Sequence, residues 1–179
     1  MSSIGSVYGQ ALYDLAKEEG CDTRILEQMS ALDESFMQEP EYIRLLCAAN
    51  LSKEERCGIL DDGFRGKLEP HLLNFMKLLT EKGYMRHFSQ CRRAYRSLYH
   101  ADRGILEVKA VTAVSLTEDQ TQRLSLKLSV LTGKQILLTN VLDPGVLGGI
   151  RLDYDGICVD DTIRHRLDSL RNLHSSTVL

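Results

Sequence analysis

The fold is decided at Gly104 and in residues 106–110, which have the sequence LEVKA. Apolar and charged side chains alternate in this stretch, as they do in a β-strand with one buried face. Every segment before Gly104 instead repeats its apolar residues at the helical period, and strand patterns follow only after it. We therefore predict an α+β protein with two domains, residues 1–103 and residues 104–179.

Six short helices are predicted in residues 1–103, and together they indicate a compact all-α bundle. Asp22 is a candidate N-cap of the second helix. Residues 52–55 (SKEE) form a capping box that opens the fourth, because serine and glutamate side chains at this spacing satisfy each other's backbone amides. Pro70 suits the first turn of the fifth helix, and the sixth begins near Met85.

The first helix carries more apolar surface than a single contact requires. Its apolar positions cover an arc of roughly 180°, whereas one core-facing stripe needs only about 100°. Either this helix is buried on two sides, one of them against another molecule, or it is a central helix wrapped by its own bundle. The apolar positions are Ile4, Val7, Tyr8, Ala11, Leu12, Leu15 and Ala16.

The second domain is predicted to have the order β-α-β-β-β-α. A second capping box at residues 117–120 (TEDQ) opens its first helix. Three strand patterns follow that helix, and the last two are joined by a hairpin signal at residues 155–156 (DG). Apolar residues at helical spacing in residues 163–173 predict the final helix.

The composition excludes a disordered chain, a collagen and a coiled-coil rod, and it disfavours a protein that binds nucleic acid. The 179 residues are 43% hydrophobic and 26% charged, which is typical of a folded globular chain. The formal net charge is −3, whereas a protein that binds phosphate backbones usually carries a basic surplus. No secretory signal or membrane-spanning run is predicted. The five cysteines form no CxxC pair, so we expect free thiols in a reducing compartment.

No catalytic or metal-binding motif is found, so we predict neither a cofactor nor a metal site. The histidines lack ligand spacing on any helix face. Asp160 and Asp161 are adjacent carboxylates, but after a strand and before a helix they suit a helix cap better than a metal or acid–base pair. Gly148 and Gly149 precede a strand rather than a helix, which favours a tight turn over a phosphate loop.

Five segments, in order along nearly the whole chain, form a recognisable set: residues 8–16 (YGQALYDLA), 74–79 (NFMKLL, closed by Gly83), 116–120 with 132–134 (LTEDQ and TGK), 143–150 (DPGVLGGI) and 160–167 (DDTIRHRL). Together they resemble the delta subunit family of the F-type ATP synthase, whose mitochondrial counterpart is the oligomycin-sensitivity-conferring protein. A few positions depart from the family pattern: Gly9 stands where alanine is usual, at a cost in helix propensity of up to about 1 kcal/mol, and Tyr84 stands where arginine is common. Asp161 and Gly145 replace a usual glycine and serine.

The resemblance implies a non-catalytic stator adaptor that joins the catalytic head to the peripheral stalk, so that rotation is coupled to ATP synthesis from a proton or sodium gradient. It implies that the first domain binds the N-terminal segment of an alpha subunit as an amphipathic helix, in a groove between the first and fifth helices. Gly148, Gly149 and Asp160 are then turn and cap residues. The residues implied for the groove are Tyr8, Ala11, Leu12, Leu15, Asn74, Phe75 and Leu78.

The resemblance also implies the rest of the assembly. The second domain would engage the b subunits of the stalk, with one copy of the chain in each complex. No cofactor, nucleotide, nucleic acid or bilayer insertion is expected. The implied location is peripheral, on the cytoplasmic face of a bacterial membrane, or on the stromal side of the thylakoid for a mature plastid form.

Two alternatives remain at this point. Arg92, Arg93, Arg96 and Arg103 form a basic stripe on the sixth helix, which would suit a nucleic-acid-binding module. At helical spacing such a stripe is also typical of a solvated face. A small enzyme without a recognisable motif is the other alternative.

Overall fold

The computed structural model describes residues 4–48, 50–146, 148–154 and 156–162, which contain seven α-helices and four β-strands. Six of the helices precede the first strand, and the predicted α+β class is confirmed. The chain divides into two compact units between Tyr99 and His100. This division falls inside the last helix before the sheet.

Two local predictions about the helices of the first unit are wrong. Asp22 is the first residue of α2 rather than its cap, because Cys21 occupies the N-cap position without a side-chain hydrogen bond. Met85 lies in a short 3-10 turn, Met85–His87, which precedes α6. The helices are α1 (Ile4–Glu18), α2 (Asp22–Gln38), α3 (Pro40–Leu46), α4 (Lys53–Phe64), α5 (Pro70–Glu81) and α6 (Phe88–Asp102).

Local hydrogen bonds fix the ends of α4 and α5. The Glu55 amide donates to the Ser52 hydroxyl at 3.1 Å, and the Ser52 amide donates to the Glu55 carboxylate at 2.8 Å, so the predicted capping box is present. After α5, Gly83 adopts a φ of +71°, and the Tyr84 amide donates to the Leu79 carbonyl at 2.7 Å. This positive-φ glycine ends the helix and places Tyr84 beside its last turn.

Two glycines let α1 lie unusually close to α6. A methyl group at Gly9 would lie 2.6 Å from the Cys91 carbonyl oxygen and 2.8 Å from the Ala94 Cβ. A methyl group at Gly5 would lie 2.5 Å from the Gln90 Cβ. The glycine at position 9 therefore satisfies a packing requirement that its low helix propensity alone does not reveal.

The second unit is built around a four-stranded mixed sheet with the order β2-β1-β3-β4. The central strand β1 pairs in parallel with β2 and antiparallel with β3, and β3 pairs antiparallel with β4. Helix α7 (Glu118–Thr132) connects β1 to β2, as a parallel pair requires. The strands are β1 (Ile105–Thr112), β2 (Gln135–Leu142), β3 (Ile150–Tyr154) and β4 (Ile157–Asp160).

Helix α7 covers one face of this sheet and forms the core of the second unit. Leu128 packs with Leu106 and Val108, which are alternate residues of β1 and so point to the same face. The predicted capping box at the start of α7 is present, since the Thr117 hydroxyl accepts from the Gln120 amide at 3.3 Å. The helix predicted over residues 163–173 lies outside the described residues.

Candidate docking surface

Helix α1 has two faces with different surroundings. Leu12, Tyr13 and Ala16 are buried in the first unit. Val7 and Leu15 are 53% and 39% exposed. Ala11 lies between them and is also exposed. The positions 7, 11 and 15 follow one another at four-residue intervals, so they form one apolar line on the open side of the helix.

Helix α5 presents a matching line. Asn74 and Leu78 are four residues apart and both are exposed, with 41% of Leu78 accessible. Phe75, Met76 and Leu79 are buried beneath them. The over-wide apolar arc of α1 therefore reflects an inner face in the core and an outer apolar edge, and α5 adds the exposed Leu78 beside it.

The two lines belong to neighbouring helices. Helices α1 and α5 are in contact. The Tyr8 ring meets the Tyr84 ring edge to face at 5.8 Å, and Tyr84 in turn contacts the ring of His87. Because Tyr8 is near the start of α1 and Tyr84 follows the end of α5, the two helices run in opposite directions.

Two residues implied for the groove are not available to a partner. Leu12 and Phe75 are buried in the core of the chain. Each directly follows an exposed residue of the surface, and one step along a helix turns the side chain by about 100°, which carries these two to the inner face. The exposed residues Val7, Ala11, Leu15, Asn74 and Leu78, together with the half-buried Tyr8, form what we call the α1–α5 surface.

Two residues of this region, Val7 and Tyr84, were not among those that the sequence resemblance implied for the groove. Val7 belongs to the four-residue series that ends at Leu15, and that spacing is the signal that could have identified it. Tyr84 lies outside any helix, and only its place after the terminating Gly83 indicates that it borders α5.

Lys77, the residue before Leu78, is engaged on another helix. Lys77 makes an ion pair at 2.7 Å with Asp61 of α4. The hydrogen bond from the Lys77 ammonium holds the pKa of the Asp61 carboxyl below its usual range, and Arg65 adds to the effect. Lys77 therefore connects α5 to α4 within the first unit. The next residue, Leu78, remains exposed to solvent.

The glycine pair before β3 and the aspartate pair at the end of β4 lie next to each other in the second unit. Gly149 has a φ of +83°, and a methyl group on it would lie 2.5 Å from the Asp161 carbonyl oxygen. The Thr162 amide donates to the Asp160 carboxylate at 2.9 Å, in the manner of a helix cap. Gly149 and Asp160 thus have structural contacts that account for their residue types; the helix that Asp160 was predicted to cap lies outside the described residues.

The basic stripe of α6 is not continuous in the structure. Arg92 turns inward and pairs with the buried carboxylate of Asp33 at 2.7 Å, and the Ser89 hydroxyl donates to the same carboxylate. Arg93 is exposed, and Arg96 is half-buried. The arginine pattern therefore includes a structural ion pair of the bundle, which weakens the nucleic-acid alternative.

The described ranges contain no cluster of three His, Cys, Asp or Glu side chains that could hold a metal ion. All five cysteines are free thiols, and burial raises the pKa of the Cys91 thiol to about 11. A search of the same ranges also finds no helix long and apolar enough to cross a membrane.

Comparisons with known proteins agree on one family. A family model described as ATP synthase delta (OSCP) subunit matches residues 4–173. ATP synthase subunit delta of Lactobacillus gasseri is 31% identical over 169 residues, which cover 94% of this chain and 92% of the relative. The subunit delta of Desulfitobacterium hafniense is 28% identical and covers 94% of both chains.

A solved structure shows the same fold. One chain of the Toxoplasma gondii mitochondrial ATP synthase hexamer matches with a TM-score of 0.77 at 15% identity, covering 96% of this chain and 97% of its own length. The family model and the Lactobacillus gasseri relative show that the chain described here belongs to the ATP synthase delta (OSCP) subunit family. This confirms the resemblance found in the sequence and identifies the chain as a structural, non-catalytic subunit.

Proposed function

We propose that this chain is the stator adaptor of an F-type ATP synthase, which joins the catalytic head to the peripheral stalk. The observation that carries the proposal is the open α1–α5 surface, where an apolar line at helical spacing on α1 and Leu78 on the neighbouring α5 remain exposed. Contiguous exposed apolar surface is uncommon on soluble monomers and marks interaction sites.

The first domain, residues 1–103, acts as a six-helix bundle that receives the N-terminal segment of the alpha subunit. An amphipathic helix binds in a groove through residues spaced three and four apart, and the antiparallel α1 and α5 offer two lines with that spacing. Val7, Ala11 and Leu15 form one side of the groove, and Asn74 with Leu78 forms the other. The Tyr8–Tyr84 pair borders it at the end where α1 begins.

The second domain, residues 104–179, engages the b subunits of the stalk. Its support is the separate sheet and core of this unit, which allow it to bind a second partner independently of the bundle. One chain in each complex then links the two partners, at the cytoplasmic face of the membrane and without entering the bilayer.

The mechanical role favours apolar anchors over surface charges. A connection that resists torque must dissociate slowly, and differences in affinity among related interfaces arise mainly in the dissociation rate. Buried apolar anchors supply most of the binding energy at interfaces, whereas exposed ion pairs are screened by salt. The Ala11 and Leu15 edge of α1 suits this demand.

Co-purification from membranes tests the proposed function. The full chain with an affinity tag is expressed in cells that make the ATP synthase, and the membranes are solubilised in mild detergent. We expect the alpha and b subunits to be recovered with the tagged chain in a complex that contains one copy of it. Recovery of the chain without either subunit would contradict the proposal.

A further inference from the structure

Helix α7 carries an exposed apolar patch that the proposed function does not yet use. Leu126, Val130 and Leu131 are 68%, 84% and 80% exposed, whereas the most exposed of Val7, Leu15 and Leu78 is Val7 at 53%. They lie within two turns of one another and line a shallow, purely apolar depression together with Lys127. We call these four residues the α7 patch.

Helix α7 presents this patch on a fixed support. The helix is anchored to the sheet through Leu128, with Leu124 partly buried beside it. Its start is fixed by the Thr117–Gln120 capping box, and its end by Gly133 in a left-handed conformation. A partner would therefore meet a preorganised surface, which reduces the entropy lost on binding.

The charges around the patch have one sign. Residues 120–134 contain no Asp or Glu, and their charged residues are Arg123, Lys127 and Lys134. Arg123 is paired with Asp119 at 3.0 Å. Among the described residues, no ion pair involves Lys127, although it is exposed between the apolar side chains. A complementary partner would place a carboxylate opposite Lys127.

This charge pattern disfavours two other occupants. Two copies of the chain that met through this face would oppose basic residues to basic residues, which is unfavourable. An anionic bilayer would attract Lys127 but would repel the chain as a whole, whose formal net charge is −3. An acidic amphipathic helix satisfies both the apolar and the charged features.

We propose that the α7 patch is the surface on which the second unit binds the stalk, through a helix with an apolar face and at least one acidic residue. This inference rests on the proposed function, because the stalk is the partner assigned there to the second unit. It adds the binding face, the kind of helix and the charge that the helix must carry.

Titration calorimetry with the full chain and the soluble part of the stalk b subunits tests this inference. Val130→Asp introduces a charge into the patch, and Val114→Asp is the matched control at an exposed valine outside α7. We expect Val130→Asp to weaken binding by about tenfold or more and Val114→Asp to leave the affinity unchanged. We expect Lys127→Glu to weaken binding most at low salt.

The possible results distinguish the α7 patch as the stalk-binding surface from a failure of the proposed function and from binding to a membrane. If the unmodified chain binds the stalk and Val130→Asp and Lys127→Glu bind equally well, the α7 patch is excluded while the proposed function stands. If the unmodified chain does not bind the stalk, the proposed function itself fails for this unit. Sedimentation of the unmodified chain, but not of Val130→Asp, with vesicles of phosphatidylcholine and phosphatidylserine would overturn the inference in favour of a membrane surface.

Discussion

The rings of Tyr8 and Tyr84 meet edge to face with 5.8 Å between their centroids, and this contact joins the start of α1 to the segment after α5. Edge-to-face aromatic pairs contribute about 0.5–1.5 kcal/mol beyond the area they bury. The pair therefore helps to fix the spacing of the two helices that present the α1–α5 surface.

A double-mutant cycle measures this contact directly. We expect Tyr8→Ala and Tyr84→Ala to lower the free energy of unfolding by less together than the sum of their separate effects, with a coupling of about 1 kcal/mol. Urea unfolding followed by far-ultraviolet circular dichroism gives the four values. Strictly additive effects would mean that the two rings do not stabilise each other.

Substitution of Gly9 by alanine reverses the usual effect of this change in a helix. Alanine normally stabilises a helix interior relative to glycine by up to about 1 kcal/mol. At Gly9 the added methyl group meets the Cys91 carbonyl and Ala94, so we expect a net loss of about 1–2 kcal/mol in the free energy of unfolding.

Gly58 of α4 is the matched control for this prediction. A methyl group at Gly58 meets nothing within 4 Å, so Gly58→Ala is expected to stabilise the chain. Thermal unfolding of both variants provides the comparison. If Gly9→Ala and Gly58→Ala stabilised the protein equally, the close approach of α1 and α6 would be refuted.

Removal of the Asp33 carboxylate is expected to destabilise the first unit strongly. Asp33 is buried and pairs with Arg92, so Asp33→Ala leaves a largely buried guanidinium without its partner, at a cost of about 3 kcal/mol. The exposed Glu41–Arg44 pair of α3 is the control, and Glu41→Ala should change stability by less than about 0.5 kcal/mol. If Asp33→Ala and Glu41→Ala lowered the free energy of unfolding equally in chemical denaturation, the buried Asp33–Arg92 pair would stabilise the chain no more than an exposed pair does.

The Asp61–Lys77 pair makes part of the stability depend on pH. The pKa of Asp61 is lowered in the folded chain, so the unfolded chain binds this proton more readily. The contribution of the pair is therefore present above the ordinary carboxyl pKa of 3.8 and is lost as the pH falls below it. In Lys77→Met we expect the pKa of Asp61, followed by NMR titration, to rise toward that ordinary value. An unchanged pKa would assign the shift to another cause.

The sequence correctly predicted the features that depend only on residues close together in the chain. The capping boxes at Ser52 and Thr117 are local, because each side chain bonds an amide three residues away, and both are present. Asp22 was misplaced by one residue, since cap identity depends on backbone angles that the sequence signals only weakly.

Features that depend on neighbouring elements could not be predicted in this way. Periodicity assigned Leu12 to the same apolar arc as Ala11, but only the packed bundle shows that one is buried and the other is open. By helix propensity alone, Gly9 is expected to destabilise α1. In the structure it allows α1 to pack closely against Cys91, which is distant in sequence. The basic stripe on α6 likewise gave no sign that Arg92 pairs with Asp33 in α2.

Binding of the alpha subunit's N-terminal peptide to the full chain, measured by titration calorimetry, tests the central claim most directly. Ala11→Asp places a carboxylate in the middle of the α1–α5 surface, and Gln10→Asp adds the same group at the adjacent exposed position of α1. The account predicts that Ala11→Asp abolishes binding with helical content intact, while Gln10→Asp binds like the unmodified chain. Unchanged affinity in Ala11→Asp would contradict the proposed groove.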